Sequence, residues 1–128
     1  MYRSILVPLD GSPLAEQALP WALAVASRAG GGLELVRVHT LYAINDPHAT
    51  WAPYDPKMDA HRKEAEQLYL HATAKYLNVL SRVPVSCALE DGLPADALLA
   101  SAQSLNPDLI VMTTHGRGPV GRFLLGSG

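Results

Sequence analysis

Four short aliphatic runs, at residues 5–9, 33–38, 83–89 and 109–112, alternate with segments of helical periodicity. No other feature of the chain narrows the possible folds as far. The first run, Ile5-Leu6-Val7-Pro8-Leu9, is apolar almost without interruption, the pattern of a strand covered on both faces. Leu14, Ala18, Trp21, Ala22, Val25 and Ala26 then recur at three- and four-residue spacing. This predicts an amphipathic helix over residues 13–29, bent at Pro20, capped by Ser12 with Pro13 in its first turn, and stopped by Gly30-Gly31-Gly32. Helices are also predicted over residues 56–80, where charged residues give way to Leu68, Tyr69, Ala72, Tyr76, Leu77 and Leu80, and over residues 94–105, with Ala95, Leu98, Leu99 and Ala102 on one side. Strands that alternate with helices across short connections build a parallel sheet with right-handed crossovers and helices on both faces. The expected fold class is α/β: a three-layer, doubly wound parallel sheet with four strands visible.

At 128 residues and 13.7 kDa there is room for one domain with a real core, taken as residues 1–128. In such a sheet, ligands bind beyond the carboxyl ends of the strands, where strand order reverses. The search for a site therefore narrows to Asp10 after the first strand, Val38-His39 after the second, Glu90-Asp91-Gly92 after the third, and residues 113–127 after the fourth. Residues 39–55 hold two prolines and several aromatic residues without periodicity and read as a long loop with no legible role.

A net charge of -2, with ten basic residues scattered rather than striped, provides no footprint for a polyanion, so no nucleic acid partner is expected. The longest apolar stretch, residues 18–26, is broken by Pro20 and falls short of the roughly 20 residues that cross a bilayer. No membrane association and no secretion signal are expected. The lone Cys87 lies among Val83, Val85, Ala88 and Leu89, as a buried inert thiol would, and a reducing, cytoplasmic setting is the expectation. His61 and His71 fall on different helix faces, and His39, His48 and His115 make no ligand-spaced pair, so no metal centre is expected. Ser12 and Ser127 have no sequence-evident base, Gly-x-Ser-x-Gly is absent, and Glu90-Asp91 reads as an exposed turn; a dedicated catalytic activity is not expected.

The densest chemical signal is Thr113-Thr114-His115-Gly116-Arg117-Gly118-Pro119-Val120-Gly121-Arg122-Phe123-Leu124-Leu125-Gly126-Ser127, which follows the fourth strand directly. Glycines such as Gly116, Gly118 and Gly126 let backbone amides approach an anion, and Arg117 or Arg122 could add a charge-assisted bond. A loop that needs glycine only for its turns would have the same composition. Gly116 to Gly121 fits G-x-G-x-x-G, but no strand and acidic residue follow as a dinucleotide fingerprint requires; a Gly-Lys-Ser/Thr tripeptide, needed for a P-loop, is missing.

In order and over essentially the whole chain, these residues resemble the universal stress protein family. The opening strand matches at Ile5-Leu6-Val7-Pro8-Leu9-Asp10-Gly11-Ser12, and the signature Gly-x2-Gly-x9-Gly-Ser/Thr matches at Gly116, nine further residues, then Gly126-Ser127. The resemblance implies a Rossmann-like, adenine-nucleotide alpha-hydrolase-like domain of the ATP-binding subgroup, with ATP as ligand, alone or with Mg2+. It would set Pro8, Leu9, Asp10 and Val38 around adenine and ribose, with Asp10 towards the ribose or a metal, and Met112, Thr113, Gly116, Gly126 and Ser127 around the phosphates. Two departures stand out. Thr113 occupies the place of the first signature glycine, where its side chain could crowd the phosphate path or donate a hydroxyl to it. The family also continues into a last helix and a fifth strand, so the chain is read as C-terminally truncated, and a homodimer is expected only if that strand is present.

The function expected is thus an ATP-binding regulatory or stress-response module with at most slow hydrolysis. One alternative is a nucleotide-free interaction or dimerisation module, which Thr113 favours. A nucleotidyl transferase-type enzyme of the same fold class is the other, with its His-x-Gly-His and Ser-Gly-Gly-x-Asp motifs absent.

Overall fold

The computed structural model describes residues 3–40 and 55–113. In chain order they form β1 (Ser4–Pro8), α1 (Pro13–Glu16), α2 (Ala18–Ala29), β2 (Gly32–His39), α3 (Pro56–Leu80), β3 (Val85–Asp91), α4 (Pro94–Leu105) and β4 (Leu109–Ile110). The four strands make one parallel sheet of order β3-β2-β1-β4, with Val7 level with Leu35, Leu35 with Cys87, and Leu6 with Ile110. The chain moves outward from β1 to β3, then crosses back to β4 on the far side of β1. Order therefore reverses between β1 and β4, and the crevice at their carboxyl ends is the place for a ligand.

Right-handed crossovers fix the layers, since α2 and α3 connect strands in one direction and α4 in the other. One face carries Ile5, Val7, Leu33 and Leu35, packed with Ala18, Ala22 and Ala26 of α2 and Leu70, Ala74 and Leu77 of α3. Alternation along the strands sends Leu6 and Val36 to the opposite face, on the side of α4. The expected three-layer α/β architecture is what these residues form.

Several boundaries differ from expectation for identifiable reasons. The helix expected over 13–29 is interrupted at Gln17. Pro20 has no N–H for the Glu16 carbonyl four residues back, and its ring would clash there, so the helix breaks just after Glu16, at Gln17, and Pro20 lies in the first turn of α2. The buried stripe of α2 is Ala18, Leu19, Ala22 and Ala26, turned towards Leu19, and Trp21 on its flank is 61% exposed. In α4 the buried positions are Ala97 and Ser101, while Leu99 is exposed. β3 begins two residues later than the aliphatic run, at Val85, and β2 extends to include His39.

The caps at Ser12 and Gly30 are those expected, and Asp55 adds one that was not. Ser12 Oγ accepts the Ala15 N–H at 3.1 Å, Asp55 Oδ1 accepts the Lys57 N–H at 3.0 Å, and Gly30 closes α2 with φ 70°. At the outer edge of β3 the Asn78 side chain bonds both main-chain groups of Val85, donating to its carbonyl and accepting its N–H at 3.0 Å each. Among the described residues no helix is long and apolar enough to cross a membrane.

Candidate functional site

At the carboxyl ends of β1 and β2 lies a cavity of about 330 Å³, lined by Pro8, Leu9, Asp10, Ser12, Leu14, Ala15, Val36, Val38, Pro94, Leu98, Met112 and Thr113. This volume is at the lower end of the range of small-molecule sites. Six of the residues singled out in the sequence, Pro8, Leu9, Asp10, Val38, Met112 and Thr113, meet in it. Gly116, Arg117, Gly118, Gly126 and Ser127 lie outside the described residues. Leu14, Ala15, Val36, Pro94 and Leu98 were not anticipated. Pro94 and Leu98 could have been, because α4 starts at the same carboxyl edge of the sheet.

The walls are apolar and the polar groups few. Asp10 Oδ1 accepts the Ser12 N–H at 2.9 Å, an Asx turn that holds the carboxylate at the rim, and Gly11 between them has φ 85°, in the left-handed region. Thr113 Oγ1 donates to the Leu14 carbonyl at 2.7 Å. A threonine hydroxyl has one proton, so in this arrangement Thr113 ties the end of β4 to α1 and has none left for a phosphate oxygen.

The universal stress protein family model matches residues 1–127. The chain belongs to the universal stress protein family. A universal stress protein of Thermus aquaticus is 34% identical over 99% of this chain and 88% of its own length. One from Mycobacterium tuberculosis is 35% identical over 98% of this chain, which spans 40% of that relative. Among solved structures, a universal stress protein family member from Burkholderia pseudomallei is 33% identical, with a TM-score of 0.65 over 89% of this chain and 83% of that one. Two more distant structures share the fold. A universal stress protein in complex with cAMP has 19% identity and TM-score 0.61 over 87% of this chain and 75% of that one. A family protein from Arabidopsis thaliana with AMP bound has 18% identity and TM-score 0.61, over 92% and 80% of the two chains.

Behind the cavity, on the α3 side of the sheet, this universal stress protein buries a polar cluster that the sequence did not announce. His39, only 4% exposed, points Nδ1 at Glu66 Oε1 and Nε2 at Asp59 Oδ1, the latter at 2.8 Å. Carboxylates only accept, so an imidazolium satisfies both contacts and a neutral ring only one. Arg37 and Arg62 approach Glu66 Oε2 at 3.8 and 3.6 Å, and Arg62 also donates to the Thr40 carbonyl and to Asp59. Partial desolvation raises the Asp59 carboxyl, but the hydrogen bond and charge of His39, with help from Arg62, win and hold it below its ordinary value of 3.8. Among the described residues no group of three or more His, Cys, Asp or Glu is arranged to hold a metal ion. Burial, and then the charge of Glu34, push the Cys87 thiol up, which keeps it protonated and a poor nucleophile.

The signal that could have revealed the cluster is the alternation of β2. Arg37 and His39 share a strand face with Leu33 and Leu35, so the helix covering that face had to bring acids to meet them.

Proposed function

We propose that this universal stress protein binds an adenine nucleotide, ATP in the first instance, as a regulatory module. The observation that carries the reading is the cavity, in which apolar Val36, Val38, Leu98 and Met112 share the lining with Asp10. A base is flat, weakly solvated and suited to such a lining, whereas a ribose offers hydroxyl donors to a carboxylate. Related proteins crystallised with AMP and with cAMP support the class of ligand. In this reading Pro8, Leu9, Asp10 and Val38 hold adenine and ribose, and Met112, Gly116, Arg117, Gly118, Gly126 and Ser127 the phosphates, with Thr113 beside them through its main chain while its hydroxyl stays on the Leu14 carbonyl. One carboxylate beside phosphates is also a donor set that magnesium accepts, and Asp10 would be its protein ligand.

The test is calorimetric titration of the purified chain with ATP, AMP and cAMP. Binding of at least one, weakened at least tenfold by Asp10→Ala, is the expected result. Free ligand a hundredfold above its dissociation constant should add about 2.7 kcal/mol to the stability. Affinity for none of the three, with no adenine nucleotide released on denaturation, refutes the reading. That outcome would favour an interaction module instead, for which the hydrogen bond from Thr113 to Leu14 is the supporting observation.

A further inference from the structure

The polar rim of the cavity is in contact with more than the groups that line it. The turn over Asp10, Gly11 and Ser12 is also gripped from the other side of the sheet. A Cβ built on Gly11 would lie 3.0 Å from Arg37 Nη1, 3.1 Å from Nη2 and 3.2 Å from Cζ. Three guanidinium atoms at nearly equal distance mean that the flat group lies against the turn, at a position only glycine leaves open. Arg37 belongs to the β2 face directed at α3, whereas its neighbours Val36 and Val38 line the cavity.

The guanidinium is in turn fixed by α3. Its Nη2 stands 3.8 Å from Glu66 Oε2, and its carbon lies 5.1 Å from the centre of the Tyr69 ring, within cation–π range. The Tyr69 hydroxyl donates to Glu16 Oε2, at the end of α1. Burial, and after it the neighbouring Glu16 carboxylate, push the Tyr69 phenol far up, so it remains a donor wherever the protein is folded. The turn is thus tied to α3 through Arg37, and the short helix that follows it through Tyr69.

The geometry points to Arg37 as a positioning residue: together with Tyr69 and Glu66 it braces the Asp10–Ser12 turn, and so sets how well the cavity holds an adenine nucleotide without touching it. The consequence for affinity rests on the nucleotide reading above; the brace itself does not. A further consequence is that whatever shifts α3 on the sheet reaches the ligand rim through two side chains.

The test uses Arg37→Met, which keeps the stem and removes the guanidinium, Arg37→Lys, which keeps the charge without the plane, and Tyr69→Phe. Hydrogen exchange is read at the amides of Ser12, Ala15, Glu16 and Gln17, which are bonded within the turn and α1. In Arg37→Met, without ligand, they should exchange about tenfold faster, while the amides of Ile5, Leu33 and Leu35 keep their protection. ATP affinity should fall about tenfold, with part of the loss recovered in Arg37→Lys. Arg37→Met combined with Tyr69→Phe should cost less affinity than the two added together, because both act on one brace. Unchanged exchange in the turn overturns the proposal. So does acceleration spread evenly over the sheet, which marks general loosening, or local acceleration with ATP affinity intact. If the wild-type chain binds no nucleotide, the reading of the cavity fails, and the brace stands or falls on the exchange result alone.

Discussion

Along α3, the stretch carrying Leu70, Ala74 and Leu77 and the stretch carrying Asp59, Arg62 and Glu66 pack against the same sheet by different physics. The first is an apolar stripe at helical spacing, sealed against Leu33 and Leu35. Its attraction grows with area and has little sense of direction. The second meets Arg37 and His39 through hydrogen bonds and ion pairs, where angle and protonation matter. Net gain from such buried pairs is small, but removing one partner is expensive. The difference teaches that helix and sheet are held together by the apolar stretch and held in orientation by the polar one. The polar stretch is also the one beside the cavity.

Substitutions can break or sharpen this contrast. Leu70 is fully buried, and Leu70→Ala should cost about 2–5 kcal/mol in urea unfolding, with little dependence on pH. Glu66→Gln leaves His39 and both arginines short of a charge and should cost about 1–3 kcal/mol. If it cost more than Leu70→Ala, the polar stretch would be the principal anchor and the division would collapse. Gly11→Ala forces a side chain into the left-handed region and into the Arg37 guanidinium; a loss of about 1–2 kcal/mol is expected. Unchanged stability there would mean that turn and arginine are not in close contact.

The smallest effect separates the two stretches by pH. Asp59 has its carboxyl lowered in the folded state, so the unfolded chain binds the proton more readily. Its contribution is therefore complete above the ordinary value of 3.8 and disappears as pH falls through the lower, folded value. Wild type should exceed Asp59→Asn in stability near neutrality, and the gap should close in acid. Leu70→Ala should show no such convergence. A gap between wild type and Asp59→Asn that is constant from neutrality to acid would remove Asp59 from the clasp.

How much of this was written plainly in the sequence depends on whether a residue's neighbours are near in the chain. The aliphatic runs declared the strands, and Ser12, Gly30 and Pro56 declared helix ends, because each acts within a turn of itself; the Asp55 cap went unread inside a loop. Parallel pairing and the site's edge followed from alternation. The break at Gln17 was less open, since it depends on the Pro20 ring meeting a carbonyl four residues back. Least legible was the cluster around His39. Asp59, Arg62 and Glu66 look like a solvated helix face until β2 is known to present two basic side chains to it, and that pairing crosses 20 residues or more. Likewise, Thr113 reads in the sequence as an obstacle or a donor to phosphate, and its hydrogen bond to Leu14, 99 positions away, is beyond any local pattern.

Asn78 closes one further matter. Its amide satisfies the donor and acceptor of Val85 as a neighbouring strand would, for a single residue at the start of β3. An incoming chain that sought to lengthen the sheet from that side would first have to evict this plug, exchanging two good bonds for two others with no gain. At that one position the edge of the sheet is already occupied from within the chain.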